Sequence, residues 1–161
     1  MTKEIIGKGK FHICAANVIE RDGKFLLVQE TKEIVRGKYN LPGGRLEIEE
    51  RIVDAAVREA EEETGLKVRP QKLVGAYQRI LVPEGNNIVT FVFASEVLSG
   101  RIRTSKKHPI VQFFSLNEIK IMGKQGLLRN VWLLEAIEDY LSGKSYDLSS
   151  VKSYIVNKAD L

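Results

Sequence analysis

Three glutamates near the middle of the chain have the spacing of a metal-binding cluster. Glu59, Glu62 and Glu63 stand at positions i, i+3 and i+4 of a segment rich in alanine and glutamate. In an α-helix this spacing puts all three carboxylates on one face, within one turn of each other. Like charges so close repel one another, and hard divalent cations such as Mg²⁺ or Mn²⁺ take oxygen ligands. The spacing therefore predicts a Mg²⁺ or Mn²⁺ site on this face.

An ordinary solvated helix can present the same acidic face, so the flanking residues decide between the two interpretations. Residues 41–44 read Leu-Pro-Gly-Gly, a glycine-rich turn that lets the backbone come close to a ligand. Arg58, directly before Glu59, is a cation able to orient a carboxylate through charge-assisted hydrogen bonds. Both features favour the metal site.

The carboxylates need a helix and a sheet to position them. Residues 52–64 contain no glycine or proline, which predicts a helix, and Gly65 follows as its C-terminal stop. A largely separate apolar stripe is predicted to seat this helix on a sheet. It consists of Val53, Ala56, Val57 and Ala60.

The stretch 44–66 resembles the Nudix box, a motif written G-x5-E-x7-R-E-U-x-E-E-x-G-U, in which U is bulky and aliphatic. Every fixed position of the motif matches, and the one departure is the small Ala60 at the first U position. Residues 37–44 and 113–119 also resemble the flanks of the box in that family. The matching positions are Gly44, Glu50, Arg58, Glu59, Glu62, Glu63, Gly65 and Leu66.

The resemblance covers roughly residues 11–141 and implies the Nudix fold, a mixed β-sheet between helices. It implies that Glu59, Glu62 and Glu63 bind the metal, helped by the carbonyl of Gly43, and that Arg58, Glu59 and Glu62 are catalytic. Glu50 and Arg58 would hold the loop and the helix in register. The candidate substrate contacts are Tyr39, Gly44 and Arg45.

The rest of the sequence supports an α/β (α+β) sandwich in a single domain spanning residues 1–161, with a C-terminal tail at 146–161. Asp22-Gly23 predicts the turn of a hairpin between residues 11–19 and 25–28. A capping box at Ser115 predicts a short helix, and helical spacing of apolar residues predicts a longer one over 127–141. Further strands are predicted at 68–80, 88–97, 110–114, around Ile102, and in the tail at 154–156.

Composition bounds the class of protein. The chain has 161 residues, 43% apolar and 29% charged, with a net charge of +4 and no signal-like or membrane-spanning segment. A single cysteine excludes an internal disulfide and is consistent with the cytoplasm. Cys14 lies in an apolar strand pattern, which predicts a small buried hydrophobe. The positive charge fits either a solvated surface or the attraction of polyphosphate substrates.

Clustered carboxylates with a divalent cation suit attack of water on a phosphoanhydride. The resemblance implies a Mg²⁺-dependent hydrolase acting on nucleoside di- or triphosphates or related nucleotides, including oxidised ones. Residues 28–39 and 100–106 resemble the subgroup acting on oxidised guanine nucleoside diphosphates. Residues 128–143 are closer to bacterial phosphatases acting on nucleotides and a thiamin-precursor pyrophosphate. A nucleotide-binding sensor without catalysis and an RNA 5′-end pyrophosphohydrolase stay open as alternatives, as does a homodimer.

Many family members place a further acidic residue before a late aromatic pair, where it acts as a base or an extra ligand. The equivalent stretch here, residues 105–109, contains no acid. His108 in that stretch is interpreted as a surface histidine, with general base as the alternative. Lys106 and Lys107 are interpreted as a solvated basic loop, with phosphate contact as the alternative. Substitutes for the missing acid are Glu59, Glu84, Glu96 and Glu118.

Overall fold

The computed structural model describes residues 10–83 and 85–160, which form two β-sheets and three α-helices. Glu84, one of the acidic candidates, lies outside the described residues. The helices are α1 (Ile52–Thr64), α2 (Leu116–Lys124) and α3 (Leu133–Leu141). The strands are β1 (Phe11–Val18), β2 (Glu20–Arg21), β3 (Lys24–Gln29), β4 (Tyr39–Asn40), β5 (Gly43–Arg45), β6 (Leu66–Leu81), β7 (Asn86–Gly100), β8 (Val111–Ser115) and β9 (Tyr146–Asp147).

The larger sheet has the strand order β5-β1-β7-β6-β9 and is mixed, because β1 and β7 are parallel and the other neighbours are antiparallel. The smaller sheet contains β2, β3, β4 and β8, with β3 paired to each of the other three. Ala15 packs with α1, whereas its neighbour Ala16 packs with α3. Successive residues of a strand point to opposite faces, so the two helices cover opposite faces of the larger sheet. The predicted mixed sheet between helices is confirmed.

Helix α1 has the predicted bounds, but its buried face differs from the predicted stripe. The fully buried side chains are Ala55, Ala56, Ala60 and Thr64, whereas Val53 and Val57 are only half-buried. Small residues let the helix backbone approach the sheet closely. Gly65 ends the helix as predicted, with a φ of 78° that favours glycine.

One predicted hairpin forms only in part and one predicted helix begins late, because long-range pairing overrides local pattern. Asp22-Gly23 forms the predicted turn between β2 and β3, and the N–H of Leu26 donates to the carbonyl of Ile19 at 3.0 Å. The predicted pairing of the rest of the first strand is wrong, because β1 pairs with β5 and β7 instead. The last four residues of β1 are buried on both faces, which suits a strand in the middle of a sheet. The helix predicted over 127–141 is α3, and it begins only at Leu133 because the chain before it pairs with Tyr39. The amide of Tyr39 donates to the carbonyl of Leu127, and the amide of Arg129 donates to the carbonyl of Tyr39.

Of the remaining strand predictions, those at 68–80, 88–97 and 110–114 are confirmed with different ends, and two others are wrong. Strand β6 runs unbroken through Pro70 and Gly75, and shifts of register near those residues absorb the irregularity. No strand forms around Ile102 or over residues 154–156. The tail closes the sheet edge through β9, which pairs with Lys72 and Leu73 of β6. The capping box of α2 is present as predicted, with reciprocal hydrogen bonds between Ser115 and Glu118.

Candidate active site

A cleft of about 890 Å³ lies over the larger sheet. Strands β1 and β5 form part of its floor, and the acidic face of α1 forms one wall. The loop before β8 and the segment before α3 contribute further lining residues. Glu59, Glu62 and Glu63 all line this cleft, as do Gly43 and Gly44. The structure thus brings the three predicted carboxylates to one cleft with the glycine turn.

Arg58 organises the acidic wall. Its Nε and Nη2 donate to the two oxygens of Glu50 at 2.6 and 2.9 Å, a bidentate pair. Its Nη1 donates to Glu59 at 2.9 Å and to Glu62 at 3.2 Å. Its Nη2 also donates to the carbonyl of Arg45 at 3.1 Å, which ties the helix to β5. The bond from Arg58 is the main reason why the pKa of Glu50 is lowered.

Glu59 lies against the glycine turn. A Cβ on Gly44 would be 2.4 Å from the Oε1 of Glu59, so only glycine leaves room for this carboxylate. The side chain of Glu59 is only 14% exposed. Burial raises the pKa of Glu59, and the nearby charges of Glu63 and Glu62 add to the rise, while the hydrogen bond from Arg58 opposes it. Burial, more than the neighbouring charges, therefore disfavours the ionised form of Glu59.

Glu63 is held at both of its oxygens. The backbone N–H of Gly43 donates to Oε2 at 2.9 Å, and the Nε2 of His108 lies 3.2 Å from Oε1. His108 is buried, with its Nδ1 3.2 Å from the carbonyl oxygen of Gln29. The interpretation of His108 as a surface histidine is therefore wrong. The pairing of β3 with β8 and the contact with Gln29 bring it to the site, and no local pattern in residues 105–109 signals this.

The donor chemistry of this wall fits a hard divalent cation. All three side chains offer carboxylate oxygens, and the glycine turn leaves space beside them. In the conformation described, these oxygens are engaged with Arg58, His108 and the amide of Gly43. Among residues 10–83 and 85–160, no three acidic, histidine or cysteine side chains already converge as a metal site. Arg58 supplies part of the positive charge that the carboxylates require, and His108 adds to it when its ring is protonated.

The other predicted site residues are dispersed. Arg45 lines the cleft, whereas Tyr39 packs edge-to-face on Phe114 in the core, with ring centroids 5.3 Å apart. Lys107 lines the cleft, and Lys106 is not among its lining residues. Two acidic candidates lie elsewhere: Glu96 forms a surface pair with Arg69, and Glu118 caps α2.

The opposite end of the cleft contains charged residues that the sequence did not single out. Glu30 is almost fully buried and forms an ion pair with Arg129. Arg79, from β6, also lines the cleft. Cys14 lies in the floor between the two ends and is half-buried, so the prediction of a buried Cys14 is wrong. Burial raises the pKa of the Cys14 thiol.

Comparison with known proteins matches this architecture to one family. The model of the NUDIX domain matches residues 10–131. The chain is 34% identical over 151 residues to the protein named Phosphatase NudJ from Shigella boydii, covering 90% of this chain and 93% of that protein. Phosphatase NudJ from Escherichia coli K12 matches with the same identity and coverage.

Solved structures agree in fold. A NUDIX hydrolase from Nitrosomonas europaea superposes with a TM-score of 0.82 at 35% identity, covering 90% of this chain and 98% of that one. The solution structure of the E. coli ORF135 protein gives a TM-score of 0.68 at 28% identity, covering 84% and 94%. No helix in the described part of this chain combines the length and the apolar composition that crossing a bilayer requires.

Proposed function

The chain belongs to the Nudix family and is a hydrolase of acid anhydrides, and from this premise we propose that it releases phosphate from nucleoside di- or triphosphates with the help of Mg²⁺ or Mn²⁺. One observation carries the proposal: Glu59, Glu62 and Glu63 line the same cleft as the Gly43-Gly44 turn. The family uses divalent metals and acts on small nucleotide-like substrates. Release of phosphate, in preference to pyrophosphate, is supported by the name of the phosphatases that are 34% identical.

In this proposal Glu59, Glu62 and Glu63 hold the metal together with the carbonyl of Gly43. The bound cation would neutralise phosphate charge and activate water for attack on phosphorus. Arg58 keeps the carboxylates of Glu59 and Glu62 turned toward the cleft through the bonds described above. The ion pair with Glu50 holds the Nε side of the same guanidinium in place.

The cleft also offers cations of its own for the substrate. Arg45 and Lys107 line it and carry positive charges that attract a di- or triphosphate. A volume of about 890 Å³ lies within the usual range for small-molecule sites, roughly 300–1,000 Å³. This size supports a mononucleotide-like substrate over a polymer. A cytoplasmic location, where such nucleotides are abundant, is part of the same proposal and fits a chain with one cysteine.

The proposal is tested by a substrate screen that identifies the products. Nucleoside di- and triphosphates, ADP-ribose, dinucleoside polyphosphates and triphosphorylated RNA are incubated with the protein and Mg²⁺ or Mn²⁺, and phosphate and pyrophosphate are measured separately. We expect metal-dependent release of phosphate from nucleoside di- or triphosphates. Turnover of RNA ends alone, or tight binding of a nucleotide without turnover of any compound, would overturn the proposal.

A further inference from the structure

Two arginines form the end of the cleft that lies away from the acidic wall. Arg129 comes from the segment before α3, and Arg79 comes from β6. Their proximity contributes to a lowered pKa of Arg79, although burial is the larger cause. Glu30 is the carboxylate paired with Arg129, and within the described residues Arg79 forms no ion pair. Two guanidinium groups with one paired carboxylate leave positive charge in this part of the cleft.

Arg129 is held in place by several contacts. Its side chain pairs with the buried carboxylate of Glu30, and its backbone N–H donates to the carbonyl of Tyr39 at 2.9 Å. The next residue, Asn130, donates from its side chain to the Oδ1 of Asn40 at 2.8 Å, and both amides are buried. Fixed in this way, the guanidinium loses little further freedom when a ligand binds.

The side chain of Arg79, unlike that of Arg129, lacks a charged partner. Within residues 10–83 and 85–160, its side chain makes no ion pair, and its Nε is buried without an acceptor. A buried donor without a partner costs free energy, which an acceptor on a ligand or a small rearrangement toward one would recover. A guanidinium carries five N–H donors and no acceptor. The group it lacks must therefore present oxygen or nitrogen lone pairs.

The floor between the two ends of the cleft is neutral. Glu59 lies against Gly44 of β5, and Arg79 lies on β6, three strand steps away in the order β5-β1-β7-β6. The register puts Gly44 in line with Ala76 of β6, and Arg79 is three residues further along that strand. The two backbone positions are therefore about 14 Å apart across the strands and about 10 Å apart along them. Cys14 of β1 and Thr90 of β7 are register partners between them. An uncharged floor suits a sugar and a ring better than a second phosphate.

One aromatic residue, Trp132, lines the cleft together with the two arginines. Its ring stacks on Tyr77, with ring centroids 5.2 Å apart and an interplanar angle of 19°. Tyr77 lies two residues before Arg79 on β6, so both side chains leave the same face of the strand. Ile88, the register partner of Arg79 on β7, also lines the cleft. A flat ring placed here would meet apolar surface and would have guanidinium donors at its edge.

We propose that Arg79 and Arg129 read the edge of the nucleobase and select bases that present a carbonyl oxygen over bases that present an amino group. The inference rests on the proposed nucleotide hydrolysis and adds a substrate class to it. Guanine, hypoxanthine and uracil carry an acceptor oxygen where adenine and cytosine carry an amino donor. Two donor-only side chains can bond with the first group and oppose the second.

The test uses substrates that differ at this exocyclic group and in the proton on the ring nitrogen beside it. Inosine and adenosine diphosphates differ at C6, and uridine and cytidine diphosphates differ at C4. We expect kcat/KM to favour IDP over ADP and UDP over CDP by roughly tenfold or more, the size of a good directional contact to a base. Equal kcat/KM values within both pairs would overturn the inference while leaving the proposed hydrolysis intact.

Variants connect the preference to the arginine. Glutamine both donates and accepts, so Arg79→Gln is expected to bring both ratios close to one by lowering kcat/KM for IDP and UDP. Arg69→Gln is the matched control, because Arg69 lies exposed on the same strand and outside the cleft. It should keep the wild-type ratios. A preference that survives in Arg79→Gln would contradict the role given to this residue.

Binding of product analogues separates this inference from the proposed function. Calorimetric titration with IMP and AMP needs no turnover, and IMP should bind roughly tenfold more tightly, with the difference lost in Arg79→Gln. If no diphosphate is hydrolysed but this difference appears, the hydrolysis proposal fails and the base preference stands. If IMP and AMP bind equally, the base preference fails whatever the turnover. Arg129→Gln, which leaves Glu30 without its partner, is a second variant to be used only if it folds.

Discussion

The Nε2 of His108 lies 3.2 Å from the Oε1 of Glu63, a contact that joins the loop before β8 to the acidic face of α1. The other ring nitrogen faces the carbonyl oxygen of Gln29 at 3.2 Å, so the imidazole is anchored to the end of β3. Groups that orient a metal ligand contribute to metal affinity without touching the metal. We therefore regard His108 as a positioning residue for Glu63.

Replacing His108 should weaken metal binding. We expect His108→Ala to raise the dissociation constant for Mn²⁺ by about tenfold or more, because Glu63 loses the group that orients it. His108→Gln, whose side-chain amide can still donate to a carboxylate, should recover part of the affinity. Mn²⁺ titration followed by electron paramagnetic resonance measures this directly. Equal affinities in the wild type and in a folded His108→Ala variant would rule out the positioning role.

Adding a methyl group at Gly44 should damage the site more than the fold. The new Cβ would be 2.4 Å from the Oε1 of Glu59, so the carboxylate must move. We expect Gly44→Ala to lower kcat/KM by at least about tenfold, as misplacement of a catalytic group does, while the melting temperature changes little. In the control Gly123→Ala, on the exposed side of α2, the nearest atom is Cδ1 of Leu128 at 3.4 Å, and the change should be neutral or stabilising. Full activity in Gly44→Ala would contradict the placement of Glu59.

The pair of Glu50 and Arg58 should make stability depend on pH in the acidic range. The bond from Arg58 lowers the pKa of Glu50 in the folded protein. Its contribution is therefore present above the ordinary glutamate pKa of about 4.3 and is lost as the pH falls through the lowered folded pKa. Glu50→Gln should reduce the free energy of unfolding by about 1.5–3 kcal/mol at neutral pH, and by less below pH 4. Urea denaturation of both proteins at several pH values measures this. A difference in the free energy of unfolding that grows toward low pH would contradict the predicted pH dependence.

Breaking the pair of Glu30 and Arg129 should destabilise the fold, because Glu30 has little access to water. We expect Arg129→Met to cost roughly 3 kcal/mol, at the low end for a broken buried pair since Arg129 itself is 25% exposed. Glu30→Gln in the same background should recover part of this loss by removing the unpaired charge. Denaturant titration of the single and double variants gives the values. A loss below about 0.5 kcal/mol in Arg129→Met would place the pair among ordinary surface contacts.

The sequence predicted the parts of the site that are local in the chain. Glu59, Glu62 and Glu63 share a helix face by spacing alone, and Arg58 reaches Glu50 across eight residues within the same motif. His108, Arg79 and Arg129 were missed because strand pairing and loop packing bring them in from distant parts of the chain. The helix predicted over 127–141 failed for the same reason. Its first residues bond to Tyr39, a partner that helical spacing cannot reveal.

The central claim is that the acidic face of α1 holds the metal that hydrolysis needs, and Glu62 tests it most directly. Its side chain is 59% exposed, so Glu62→Gln should fold normally. Glu61→Gln is the matched control, because Glu61 is the adjacent glutamate, pairs with Lys67 and does not line the cleft. The measurement is Mg²⁺-dependent release of phosphate from a nucleoside diphosphate by the three proteins. We predict a loss of at least about tenfold in kcat/KM for Glu62→Gln and wild-type activity for Glu61→Gln. Unchanged metal-dependent turnover in Glu62→Gln would contradict the account.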